Sequence, residues 1–113
     1  LWGDGSPRRE FLHSYDLAEA IIFLLENKNA SDIGEIINVG TGVDTTIREL
    51  AELVASIIGY TGEVVWDTTK PNGTPQKLLD VSRIMNMGWM PKIALQDGIK
   101  NTYTDFLSHF VNQ

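Results

Sequence analysis

Hydrophobic and polar positions keep a helical period most clearly between Thr46 and Gly59. Ile47, Leu50, Ala51, Val54, Ile57 and Ile58 recur at spacings of three and four, which places them on one face. Thr46 followed by Glu49 is the Ser/Thr-x-x-Glu pattern that satisfies free N–H groups at a helix start, and Gly59 supplies the stop. The pattern predicts an amphipathic helix near 46–58. A second helix is predicted near 15–27, with Ser14 as N-cap and Asp16 complementing the helix dipole. Leu17, Ile21, Leu24 and Leu25 make its stripe, and Ala18, Ile22 and Phe23 widen it. So wide an apolar face predicts packing on more than one side, against residues this chain lacks.

Two short β-branched runs bounded by glycine, Glu35–Val39 and Glu63–Asp67, read as strands on either side of the best helix. Strand, helix, strand in this order predicts a right-handed βαβ unit with parallel strands. Arg9–His13 is a third extended stretch. Leu95, Ile99, Tyr103, Phe106 and Phe110 share one face of a helix near 95–110, and a short helix near 81–87 ends at Gly88. The Pro, Gly, Asn and Thr-rich segment between Asp67 and Trp89 is otherwise mostly loop. There is no internal repeat. The reading is a single α/β domain over 1–113.

Composition narrows the chemistry. The 113 residues carry a net charge of -6, which argues against a broad nucleic-acid footprint yet leaves room for a local basic pocket. With no cysteine, thiol catalysis, disulfides and Cys-ligated zinc are excluded within the chain. His13 and His109 lie far apart with no third ligand spaced to join them, so no metal site is expected. No apolar run approaches the roughly 20 residues that span a bilayer, and no signal-peptide pattern is visible. The two Asn-x-Ser/Thr sequons, at Asn29 and Asn72, therefore read as chance.

Three motifs carry candidate chemistry. Gly40-Thr41-Gly42 follows an expected strand and precedes a helix, the setting of a dinucleotide fingerprint. The third glycine is missing, Thr46 is committed to the helix cap, and Asp44 would bring negative charge to a pyrophosphate. A tight strand-to-helix turn is the competing reading. None of the three tyrosines has a lysine four residues on, and no Ser-His-Asp set is spaced for catalysis. No catalytic or cofactor-binding residue is therefore assigned. The opening WGDGSPRRE joins an aromatic to a glycine turn and two arginines. Arg9 is suited to clamp a phosphate through two parallel hydrogen bonds, and Trp2 to stack on a ring or a sugar face. In TTKPNGTPQK, Lys70 and Lys77 bracket a tight loop in which Asn72 could bond sugar hydroxyls. Both stretches also read as ordinary surface turns. They matter if the fold brings them around one anion.

Taken in order, WGDGSPRREFLHSYDLAEAI, INVGTGVDTTIRELAELVA, GYTGEVVWDTTKPNGTPQKLLDVSRI and GWMP resemble the carboxy-terminal part of the extended short-chain dehydrogenase/reductase family. The resemblance runs from Trp2 to about Phe110. The first stretch and the Gly-Thr-Gly turn occur widely among its nucleotide-sugar epimerases and dehydratases. VVWDTTKPNGTPQKLLD is narrower and is similar to the branch that converts GDP-4-keto-6-deoxymannose to GDP-L-fucose with NADPH. The resemblance implies a substrate-binding lobe, inactive alone. It would normally pack on a Rossmann domain, absent here, that holds the NADP site and the catalytic residues for epimerisation and reduction. It implies Trp2 and Arg9 at the nucleotide diphosphate, with Asn72 and Lys77 completing the pocket. It also implies a GDP-sugar substrate, a cytoplasmic homodimer, and no nucleic-acid or membrane partner. Related enzymes often carry Asp in place of Asn72, and the last helix, with Ala94 at its start, lacks their usual cap. Two alternatives stand beside this: another nucleotide-sugar enzyme using UDP or dTDP, and a non-catalytic binding module.

Overall fold

The computed structural model describes residues 1–111. The chain runs through β1 (Arg8–Glu10), α1 (Ser14–Asn27), α2 (Ala30–Ile33), β2 (Asp44–Thr46), α3 (Ile47–Ile58), β3 (Gln76–Lys77), α4 (Ser82–Asn86) and α5 (Leu95–Phe106). A π-helical turn, Leu107–Val111, continues α5. The α/β class, α1, α3, α4 and α5 follow the sequence pattern closely, whereas the short α2 has no counterpart in it.

α3 starts where the capping box places it. The Glu49 N–H donates to Thr46 Oγ1 at 3.1 Å, and the Thr46 N–H donates back to Glu49 Oε2 at 2.8 Å. Gly59 ends the helix in the left-handed conformation, φ 70°. α5 starts at Ala94 with no side-chain cap, as its sequence implies. At α1 the cap shifts by one residue. His13, not Ser14, is the N-cap, and its Nδ1 accepts from the Tyr15 N–H at 3.1 Å. Tertiary packing fixes the choice, because the His13 ring lies against Gly98 of α5, where a Cβ would fall 2.9 Å from its Cδ2. Asp16 does more than complement the dipole. It is buried, and its carboxylate accepts the Lys92 and Ile93 N–H groups at 3.1 and 3.0 Å, tying α1 to the approach to α5.

The sheet is where sequence and structure part. Its order is β2-β1-β3, with β1 antiparallel to β2 and parallel to β3. The segments expected as parallel strands, Glu35–Val39 and Glu63–Asp67, are not strands. The first joins no ladder among the described residues, and the second makes a single bridge, Trp2 with Asp67. β-branched residues favour extended backbone, but a strand also needs a neighbour, and this chain brings neither segment to the other. The side-chain alternation of the first segment survives. Ile37 and Val39 pack on the buried cluster of Ala20, Val81, Ile84 and Trp89, while Ile36 stays exposed. The wide apolar face of α1 also remains open, with Leu17, Ile21, Ile22 and Leu25 exposed.

Hydrogen bonds to carboxylates reinforce the short strands. Asp44 accepts from Gln76 Nε2 at 2.5 Å and from Arg8 Nε at 2.8 Å, so one side chain of β2 reaches both β1 and β3. Those contacts, Gln76 first and Arg8 second, hold its carboxyl below the usual range. Glu49 is held at about 2 by the Thr46 N–H and then by the Thr45 and Thr46 hydroxyls.

Two measurements check this account. Ile84 is fully buried, so Ile84→Ala costs roughly 2–5 kcal/mol in a urea melt. The folded carboxylate values of Asp44 and Glu49 lie below the unfolded ones, so their stabilisation is present above about pH 4 and lost as the pH falls through the folded values. Thermal melts should therefore be level from neutral pH to about 5 and fall between about 4 and 2. Asp44→Asn should make that fall shallower; an unchanged slope contradicts the role given to Asp44.

Candidate functional site

Successive side chains of a strand point to opposite faces, so the register of β1 sorts its charges. Arg8 pairs with Thr46 and Gln76, Arg9 with Thr45 and Lys77, and Glu10 with Asp44. Arg8, Glu10, Asp44 and Gln76 share one face, where Arg8 is committed to Asp44. Arg9 and Lys77 share the other. The two adjacent arginines thus have different work. Arg8 holds the sheet together, whereas Arg9 forms no ion pair among the described residues, and its Nη1 donates only to the Arg8 carbonyl at 2.7 Å. Residues 68 apart in sequence place two cations side by side, the arrangement that suits an anion with more than one negative oxygen.

The opening turn is joined to the same region. Gly3 and Gly5 have φ of 76° and 81°, a backbone that a side chain would strain. The Asp4 N–H donates to Asn72 Oδ1 at 2.9 Å, and the Gly3 N–H donates to the Asp67 carbonyl at 2.9 Å. A Cβ at Gly3 would fall 2.2 Å from Asn72 Oδ1, so glycine is also what lets Asn72 reach the turn. Hydrogen bonds from Ser6, and after them Asn72, hold the Asp4 carboxyl at about 2. Arg48 lies over the Trp66 ring at 4.6 Å and donates to the Asp4 carbonyl, fixing the turn to α3. Trp2 stays 74% exposed, with Lys70 Nζ 5.8 Å from its ring centre. Arg9 reaches toward the same loop, its Nη2 lying 4.0 Å from where a Gly73 Cβ would be.

Trp2, Arg9, Asn72 and Lys77 are therefore linked through one turn, one strand pair and one loop. Asn72 is turned toward the backbone of the Trp2 turn, so its carbonyl oxygen is already in use. Lys70, beside Trp2, is a further cation of the group. Glu10 was not legible as part of it. Its carboxylate accepts the Gly42 N–H at 2.6 Å, the Thr41 hydroxyl at 3.2 Å and the Leu79 N–H at 3.1 Å. Only the fold reveals those contacts, because 31 or more residues separate the partners.

The same carboxylate decides between the two readings of Gly40-Thr41-Gly42. A phosphate cradle needs free N–H groups, and here the Gly42 N–H is occupied by an anionic side chain. A Cβ at Gly40 would fall 2.5 Å from Glu10 Oε1, so glycine at 40 admits Glu10. The turn is structural. Among the described residues no cluster of three His, Asp or Glu is placed to hold a metal ion. No helix of the described residues is long and apolar enough to cross a membrane. An apolar groove of about 500 Å³ between α3 and α5, lined by Leu50, Val54, Ile99 and Tyr103 among others, carries no Asp, Glu, Lys or Arg. It is a packing surface rather than a chemical site.

Residues 1–40 match the NAD dependent epimerase/dehydratase family. The chain is 51% identical over 113 residues to a putative GDP-L-fucose synthase 2 from Arabidopsis thaliana, covering 100% of this chain and 34% of that protein. Among solved structures it is similar to a GDP-6-OMe-4-keto-L-xylo-heptose reductase from C. jejuni, with 41% identity and TM-score 0.89, covering 96% of this chain and 33% of that one. It is also similar to a GDP-mannoheptose C4 reductase from Campylobacter jejuni with NADP bound, with 43% identity and TM-score 0.83, covering 92% and 33%. The chain spans about a third of the length of the curated relatives it matches. Residues 1–40 thus carry the match to the NAD dependent epimerase/dehydratase family, and the chain as a whole is similar to about a third of several GDP-sugar enzymes.

Proposed function

We propose that this chain is the GDP-sugar-binding part of a GDP-L-fucose synthase, which turns GDP-4-keto-6-deoxymannose into GDP-L-fucose, and that it is inactive alone. The observation that carries the reading is the pairing of Arg9 with Lys77 in adjacent strands, beside the loop that holds the Trp2 turn. Arg9 binds the diphosphate through its planar fork, and Lys77 adds a second positive charge. Trp2 offers an exposed ring to the nucleoside or sugar, and Asn72 sets the turn that presents it. Holding the diphosphate at two points fixes where the sugar ring lies, and such positioning lowers the barrier for chemistry done elsewhere in the enzyme.

NADP belongs outside this chain. One relative is a reductase with NADP bound, of which the chain covers 33%. The residues present here do not fit the cofactor, because the Gly40–Gly42 turn, which stands in the right setting, is closed by Glu10. The open apolar face of α1 supports a neighbouring domain that covers it.

Calorimetric titration of the chain, shown folded by circular dichroism, tests the base and the anion together. GDP should bind at least about tenfold more tightly than UDP at matched salt, a difference of about 1.4 kcal/mol. Equal affinity, or none for either, overturns the reading. In the full-length enzyme, Arg9→Ala should raise KM for the GDP-sugar by about tenfold or more with a smaller change in kcat. A fall in kcat at unchanged KM would contradict a binding role.

A further inference from the structure

We infer that Glu10 is the positioning residue of the anion site, setting the separation of Arg9 and Lys77 from the opposite face of β1; this rests on the GDP-binding reading above. β3 is only two residues long and exposed, so its backbone pairing alone holds it weakly. Asp44 pins its first residue through Gln76. Beyond its last residue, the Leu79 N–H donates to Glu10 Oε2 at 3.1 Å. The other carboxylate oxygen takes the Gly42 N–H and the Thr41 hydroxyl, which fixes Glu10 itself. Lys77 therefore lies between two anchored points, opposite Arg9 in the register.

A positioning role and a purely electrostatic one predict opposite signs. Glu10 is an anion next to a site for an anion, so neutralising it should tighten GDP binding if charge alone matters. If Glu10 positions the cations, neutralising it frees the segment after β3 and weakens binding. Gly40 offers a second way to disturb it, because Gly40→Ala places a Cβ 2.5 Å from Glu10 Oε1 without removing the charge.

The test titrates GDP and guanosine into the full chain as wild type, Glu10→Gln and Gly40→Ala, and follows hydrogen exchange at the Leu79 amide. Both variants should bind GDP on the order of tenfold more weakly, the effect of losing a hydrogen bond to a charged group. Guanosine affinity should be unchanged and Leu79 exchange faster. GDP affinity that is unchanged or tighter in the variants overturns the role of Glu10 while leaving the site intact. A wild type that binds GDP no better than guanosine overturns the diphosphate site and this inference with it. If Glu10→Gln fails to fold, Gly40→Ala decides alone.

Discussion

Everything the candidate site requires passes through the pairing of three residues, Arg8–Glu10, with a strand on each side. Strands this short carry little stability of their own. Here each position of β1 has a separate task. Arg8 is locked to Asp44, Glu10 gathers the Gly42 and Leu79 backbones, and Arg9 between them is left facing Lys77. Alternation along a strand turns a run of three charged residues into two anchors and one guanidinium outside any ion pair among the described residues. That separation lets an acidic chain present a local positive site.

The longer helices were legible because their determinants are local, whereas the single turn of α2 was not expected. Thr46, Glu49 and Gly59 fix both ends of α3 within fourteen residues of sequence, and the structure reproduces them. The cap of α1 was misplaced by one residue because a contact across the fold, His13 on Gly98, outweighs the intrinsic preference for serine. The β-branched segments at 35–39 and 63–67 read as paired strands in the sequence, yet the fold forms neither as a strand. Extension is a property of the residues, whereas pairing depends on what else the fold brings alongside. The same limit hid Glu10, whose three donors lie far away in sequence.

At the site, residue types were legible and their assembly was not. Arg9 and the Lys70–Lys77 loop could each be noticed as basic, but only the register of β1 on β3 makes them neighbours. Conversely, a glycine turn that invited comparison with a dinucleotide site is closed by a carboxylate. The chain's resemblance to GDP-sugar enzymes and this geometry point the same way. The apolar surfaces on α1 and between α3 and α5 lie open.

The central claim is that Trp2, Arg9 and the Lys70–Lys77 loop form one surface for a nucleoside diphosphate. The most direct measurement is a nuclear magnetic resonance titration of the chain with GDP, following backbone amides, the Trp2 indole N–H and the Arg9 Nε–H. The account predicts that the shifts concentrate on Trp2, Arg9, Asn72, Gly73 and Lys77, leaving α5 unmoved. Shifts confined to the apolar groove between α3 and α5, or to the Gly40–Gly42 turn, would contradict it.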